Sequence, residues 1–273
     1  MALTSVEGRN ALVTGAAMGI GRALAEELLE RGASVCLVDI DRAALEETRA
    51  QLATGLRSGQ RLLAHVADVA SPESVNAMAH AVWRELGPVD LICANAGVTT
   101  AYGGAPDEMP LADWRRLFDV NVFGLIHCLQ AFLPLLRGRA APSHILITGS
   151  SSGLLPTANR AAYCASKHAV VGLSESLFLQ LQGTPIGVTL LCPGVTATRM
   201  LEADRNRPAG MPGRPLNPAL LAHAKSPREV ARIAIEDMLA GHFWVLTHED
   251  LKPAVLARAA AIAGAAPPPD AYH

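Results

Sequence analysis

The stretch VTGAAMGIG, residues 13–21, decides how the chain is read. It places Gly15, Gly19 and Gly21 straight after an apolar run, NALVTG (10–15), and at the head of a helical pattern. In that pattern Ile20, Leu24 and Leu28 share one stripe, and Gly32 stands where a helix ends. A tight strand-to-helix turn needs glycine when its backbone N–H groups must come close to a pyrophosphate. The helix N-terminus behind the turn adds partial positive charge for the phosphates. Met18 and Ile20 complete this candidate cradle. Taken alone, the glycines also suit an ordinary connection.

The next acidic residue at a strand end adds weight. Asp39 follows Gly21 by 18 residues, with Ile40 beside it, where a carboxylate accepts from a ribose diol. A 2′-phosphate there would meet like charge, and Asp41 adds to it. Met18 occupies the slot in the turn where a basic residue could compensate. Arg22 and Arg42 are near in sequence but also read as solvated helix residues. NAD is therefore expected as cofactor in preference to NADP.

Seven short apolar runs carry this alternation through the chain: 10–15, 34–39, 61–68, 89–97, 143–150, 187–194 and 243–248. Their apolar content is nearly continuous, which suits strands covered on both faces. Helical periodicity fills 19–32, 41–57, 72–86, 112–137 and 162–182 between them. Strand–helix alternation implies right-handed crossovers. The expected fold class is α/β: one doubly wound, Rossmann-type domain over residues 1–264, with about seven mostly parallel strands and helices on both faces. Residues 195–225 hold six Pro or Gly among apolar residues and read as a lid over a substrate. Residues 265–273 read as a flexible tail.

Composition narrows the class. The 273-residue chain has a net charge of −2, with acidic and basic residues interspersed, so no footprint for nucleic acid appears. The N-terminus lacks a basic segment followed by an apolar core, and no uninterrupted apolar run reaches membrane-spanning length. Five scattered cysteines inside apolar runs read as reduced and buried, and the nine histidines form no metal-binding spacing. The expectation is a cytoplasmic protein with no metal, nucleic-acid or membrane partner.

The chemistry centres on AAYCASKHAV, 161–170. Tyr163 and Lys167 stand one helical turn apart on one face, with small residues between. Oxidising a secondary alcohol requires a base for the hydroxyl proton while hydride leaves carbon. A phenol is a poor base at neutral pH unless a neighbouring cation favours its phenolate. Lysine supplies that cation. The competing reading is a surface contact between two helix residues.

Beyond these two sites, the ordered set resembles the short-chain dehydrogenase/reductase family, in its single-domain branch, over almost the whole chain. TGAAMGIG matches the family's glycine turn. Asp68 and Val69 match its adenine-contacting position, and Asn95-Ala96-Gly97 the turn after strand four, which the resemblance places on the adenosine side. Asn121 and Ser150 fall where the family has its active-site asparagine and serine, Ser150 lying 13 residues before Tyr163. Pro193-Gly194, then Val195 and Thr198, match its motif near the nicotinamide. The chain departs from the family at Ala94, where a second asparagine is common, and at FWVLTH (243–248), where many members are glycine-rich.

The resemblance implies an NAD-dependent alcohol dehydrogenase/ketone reductase acting on a fairly apolar small molecule. Tyr163 is then the general acid/base, Lys167 its electrostatic partner and a ligand of the nicotinamide ribose. Ser150 holds the substrate oxygen, and Asn121 holds a water in a proton relay. From residues alone, Asn121 also reads as an internally satisfied polar group, Asp68 and Asn95 as Asx turns, and Thr198 as a helix cap.

Strand carboxyl ends place Tyr102, Leu154, Leu155, Asn159, Met200 and Leu201 around the substrate. Apolar residues on more than one side of helices 112–137 and 162–182 (Phe118, Phe123, Phe132, Leu177, Phe178 and Leu181) suggest a homodimer or homotetramer. The alternatives are an NADP-dependent carbonyl reductase, an extended dehydratase/epimerase relative, or a dinucleotide-sensing protein without catalysis.

Overall fold

A computed structural model describes residues 3–100, 105–139, 141–158, 160–198 and 223–269. Seven strands form one all-parallel sheet: β1 Asn10–Thr14, β2 Ser34–Asp39, β3 Leu62–Val66, β4 Leu91–Ala94, β5 Ser143–Thr148, β6 Ile186–Cys192 and β7 Trp244–Leu246. Their order is β3-β2-β1-β4-β5-β6-β7. The chain thus winds outward from β1 in one direction, then returns and winds outward from β4 in the other. The reversal between β1 and β4 opens a crevice at their carboxyl ends, where open α/β sheets bind ligands. Both faces are covered, so β1, β2 and β4 to β6 are buried almost throughout, which explains their unbroken apolar runs.

Helices α1 Gly19–Glu30, α2 Arg42–Ala53, α3 Pro72–Glu85, α4 Leu111–Phe118, α5 Gly124–Arg137, α6 Ala161–Gln180, α7 Pro227–Leu239 and α8 Lys252–Ala263 flank the sheet. Local chemistry starts three of them. Asp41 accepts from Ala44 N, Ser71 from Ser74 N and Ser226 from Glu229 N, each satisfying an orphan N–H of the first turn. Two apolar clusters fill the sides of the sheet: Leu12, Ile92, Ile145, Phe132 and Leu177 on one, Val13, Leu24, Leu28, Leu37 and Ile235 on the other.

The helix expected over 112–137 is two helices joined by a π-helical turn, Asp119–Phe123. Together, Leu111–Arg137 is long and apolar enough by composition to cross a membrane, which uninterrupted runs alone did not suggest. Here it packs on the sheet through Leu117, Leu125, Cys128, Phe132 and Leu136. All five cysteines are buried and unbridged. The surplus of apolar residues expected to drive association is smaller than the sequence implied. Phe132, Leu177 and Leu181 are buried within the chain, whereas Phe123 and Leu179 stay exposed.

One buried group gives the fold a pH dependence. His144 on β5 donates from Nε2 to Thr189 Oγ1 at 2.9 Å, the tautomer following because that hydroxyl donates to His242 O at 2.8 Å. Its Nδ1 is buried against Gly187, without a partner among the described residues. Protonating Nδ1 would bury an unsolvated charge, and burial pushes the imidazole down to about 4 from 6.5. The unfolded chain therefore takes up this proton first as pH falls. Stability from this group is complete above about pH 6.5 and is lost toward pH 4, by about 3 kcal/mol. Denaturant titrations at about pH 7 and pH 4 should show most of this loss in the wild type and a shallower one in His144→Gln. Equal slopes would refute the assignment.

Candidate active site

The glycine turn has the geometry of a phosphate cradle. Gly15 and Gly19 take positive φ, 65° and 58°, which side-chain-bearing residues rarely adopt. A Cβ on Gly21 would sit 2.1 Å from Gly15 O, and one on Gly15 would sit 2.9 Å from Ala96 Cα. The turn is therefore folded tightly against both itself and the β4 end. In contrast to α2, α3 and α7, α1 begins at Met18 with no side-chain cap, and like α2 it has no acidic residue in its first turn. Its leading N–H groups stay available to an anion, so the residues present fit a dinucleotide.

Three strand ends are stapled around this turn. Thr14 Oγ1 accepts from Asn95 N and Ala96 N, both at 3.0 Å. The Asn95 amide donates to Thr14 O at 3.0 Å and accepts from Thr148 Oγ1 at 3.1 Å. Asn95 thus spends its side chain on holding β1, β4 and β5 in place, and its expected role on the adenosine side becomes one of positioning. Asp39 is similarly fixed: Oδ2 accepts from Ala17 N and Oδ1 from Asp41 N, each at 3.0 Å. One lone pair on each oxygen remains for a ribose diol. Ile40 beside it is exposed, as is suitable for flanking a ligand. Asp68 forms the Asx turn weighed from sequence, with Oδ1 accepting from Ala70 N at 2.9 Å. Val69 is buried beneath Gly124.

The structure brings Asn121, Ser150, Tyr163 and Lys167 to the carboxyl ends of β4 and β5, all at most 8% exposed. Tyr163 packs its ring with Met109, Leu117 and Ala162. Lys167 Nζ lies 6.0 Å from the centre of that ring and donates to Thr148 O at 3.0 Å, leaving further N–H donors free. Ser150 Oγ accepts from Ser152 N at 3.1 Å, so its own hydrogen is free to donate elsewhere. Gly153 allows this serine turn to lie on α6, since a Cβ there would come 2.6 Å from Lys167 O.

Asn121 sits in the π-helical turn, a distortion that recurs at functional sites. Its Oδ1 accepts from Val98 N at 2.8 Å, and its Nδ2 donates to Val98 O and Ser166 Oγ, both at 3.0 Å. Both Nδ2 hydrogens are used and one Oδ1 lone pair remains, so the side chain is largely satisfied internally. Ser166, one of the small residues between Tyr163 and Lys167, completes the link: fully buried, it donates to Tyr163 O at 2.8 Å.

His248 is a second residue that sequence reasoning missed. In the FWVLTH segment, 54 residues from Gly194, it accepts from Gly194 N at 3.2 Å and bonds Val195 O at 3.1 Å. It thereby fixes the Pro193–Val195 turn, and burial shifts its imidazole down, keeping it neutral for both bonds. Ser151 N donates to Pro193 O, tying the turn to the serine loop. Thr198 lies over the glycine turn, its methyl 3.2 Å from where a Cβ on Gly19 would be. Thr196 and Lys225 pair as a parallel bridge, so the segment between them leaves and returns at one point. Of the expected substrate residues, Leu154 and Leu155 are buried in a core cluster at 9% and 1% exposure. Tyr102, Asn159, Met200 and Leu201 lie outside the described residues.

A glycine cradle at the reversal point of a parallel sheet, with a buried tyrosine and lysine beside it, defines a dinucleotide-dependent oxidoreductase. The chain belongs to the short chain dehydrogenase family, which it matches over residues 9–209. It is 34% identical over 247 residues to 1-deoxy-11-beta-hydroxypentalenate dehydrogenase of Streptomyces exfoliatus, covering 90% of this chain and 86% of that protein. It is 35% identical over 233 residues to the rhamnolipids biosynthesis 3-oxoacyl-[acyl-carrier-protein] reductase of Pseudomonas aeruginosa, covering 80% and 89%. A short chain dehydrogenase/reductase from Burkholderia phymatum, solved with NAD, superposes with a TM-score of 0.87 at 32% identity, covering 97% of this chain and 98% of that one. The protein is an NAD(P)-dependent dehydrogenase/reductase.

Proposed function

We propose that the protein interconverts a secondary alcohol and a ketone on a fairly apolar small molecule, with NAD as its cofactor. The observation that carries this reading is the buried Tyr163–Lys167 pair facing the Ser150 turn beside an uncapped glycine cradle. Bound nicotinamide supplies or accepts the hydride.

The chain's own residues do the rest. Ser150 Oγ–H donates to the substrate oxygen and stabilises charge developing there. Tyr163 Oη takes the alcohol proton in oxidation and returns it in reduction. Lys167 holds positive charge near the phenol and uses its spare N–H donors on the nicotinamide ribose. Asn121 and Ser166 lock the α4–α6 junction that aims Tyr163. Gly15, Gly19 and Gly21 with the α1 N-terminus hold the pyrophosphate. Asp39 and Ile40 take the adenosine ribose, and Asp68 and Val69 the adenine. Ala96 and Gly97, with Asn95, lie on the adenosine side, and Pro193, Gly194, Val195 and Thr198 line the nicotinamide side. The segment 195–225 keeps its reading as a lid; its residues 199–222 lie outside the described residues, and Thr196 and Lys225 at its two ends pair as a bridge.

The names of the relatives support the reaction class, since one oxidises a hydroxyl-bearing molecule by name and another reduces an oxo group by name. A cytoplasmic homodimer or homotetramer completes the proposal, supported by the exposed Phe123 and Leu179. Offering a panel of apolar secondary alcohols with NAD, and the matching ketones with NADH, tests the reading through NADH absorbance. Turnover of at least one pair is expected; inactivity across the panel in both directions would count against it.

A further inference from the structure

Arg160 stands just ahead of α6, three residues before Tyr163, and is half-buried. Its guanidinium carbon lies 4.5 Å from the centre of the Tyr163 ring, closer than Lys167 Nζ at 6.0 Å. One donor, Nη2, reaches Thr99 Oγ1 at 3.3 Å, on the turn that follows β4. Arg116 reaches the same residue from the other side, donating to Thr99 O at 3.3 Å, but Arg116 has Asp113 3.9 Å away. Among the described residues, no carboxylate pairs with Arg160.

That placement is chemically specific. A guanidinium carries five donors in a planar fork that matches a carboxylate two at a time. Half-burying it against an aromatic face, with a single hydroxyl as hydrogen-bond partner among the described residues, leaves most of this capacity unused by them and part of its hydration lost. The ring it covers is the one whose phenol meets the substrate oxygen. A substrate whose oxygen meets Tyr163 is therefore held beside a ring that carries this guanidinium, 4.5 Å from its centre.

We infer that Arg160 anchors an anionic group of the substrate, so that the molecule turned over is a hydroxy acid or keto acid whose carboxylate lies a few bonds from the reacting carbon. The inference rests on the dehydrogenase reading above for the position of the reacting oxygen. Arg160 fixes orientation from its place over the Tyr163 ring. Asp113 holds Arg116 as a support of the Thr99 turn.

The test uses the enzyme–NADH complex, followed by NADH fluorescence, with cyclohexanecarboxylate and its neutral analogue cyclohexanecarboxamide as probes. The carboxylate should bind at least about ten-fold more tightly than the carboxamide, the value of one well-made hydrogen bond to a charged group. Arg160→Gln should abolish that preference, and Arg160→Lys should keep part of it. Thermal unfolding and NADH affinity of each variant, measured first, show that fold and cofactor site survive. Equal affinity for the two probes, binding of neither, or a preference that persists in Arg160→Gln would each overturn the inference. Failure of the dehydrogenase reading would appear elsewhere, as absence of turnover by the wild type across neutral and acidic alcohols alike.

Discussion

Tyr163→Phe is expected to lower turnover by about 10²-fold or more while leaving the fold and NADH affinity nearly unchanged. The substitution removes one oxygen and keeps the ring, and it is the ring that packs with Met109, Leu117 and Ala162. The backbone bond from Ser166 to Tyr163 O is independent of the phenol and stays in place. Only the proton-transferring atom is lost, so steady-state kinetics on an accepted alcohol, with NADH binding as control, isolate the chemical step. Substantial activity in the variant would mean that another group carries the proton. Among the described residues at the site, Ser150 would be the next to examine.

The second large effect is cofactor choice. NADH should exceed NADPH in kcat/KM by roughly 10²-fold, equivalent to a few kcal/mol. Asp39 cannot swing aside for a 2′-phosphate, because Ala17 N and Asp41 N hold one oxygen each. The like charges would then share a site partly withdrawn from water. The same bonds show how the residue should be altered. Asp39→Ala would free the Ala17 N–H and loosen the glycine turn itself, lowering use of both cofactors. Asp39→Asn keeps an acceptor and removes the charge, so it should narrow the gap mainly by improving NADPH. Equal use of both cofactors by the wild type would point to Arg22 or Arg42 as a phosphate ligand.

Much of this was legible in the sequence, for physical reasons. Strands covered on both faces must be apolar throughout, so the runs at 34–39 and 143–150 announce β2 and β5 directly. The glycine turn is legible because backbone crowding at Gly15 and Gly21 admits no side chain. The Tyr163–Lys167 pair is legible because a helix turn converts spacing into proximity.

What stayed hidden depends on contacts distant in sequence. The π-helical turn at Asp119–Phe123 changes hydrogen bonding by one residue without changing apolar periodicity, so 112–137 read as a single helix. Asn95 could be recognised as a staple only once β1, β4 and β5 lay side by side. His248 supports a turn 54 residues away, and no local pattern predicts that. Phe132, Leu177 and Leu181 looked like surplus for a subunit interface because a helix pattern cannot reveal how deep the sheet's own core is. Ser166 looked inert beside two reactive neighbours, yet it ties Asn121 to the backbone of Tyr163.

The central claim is that this site moves a hydride from a carbinol carbon to NAD while Tyr163 takes the hydroxyl proton. Its most direct test is oxidation of an accepted secondary alcohol deuterated at the carbinol carbon, with mass spectrometry of the reduced cofactor. The account predicts one deuterium in the NADH formed and none exchanged from solvent, with the reaction nearly abolished in Tyr163→Phe. Unlabelled NADH, or labelled NADH formed as fast by Tyr163→Phe as by the wild type, would contradict it.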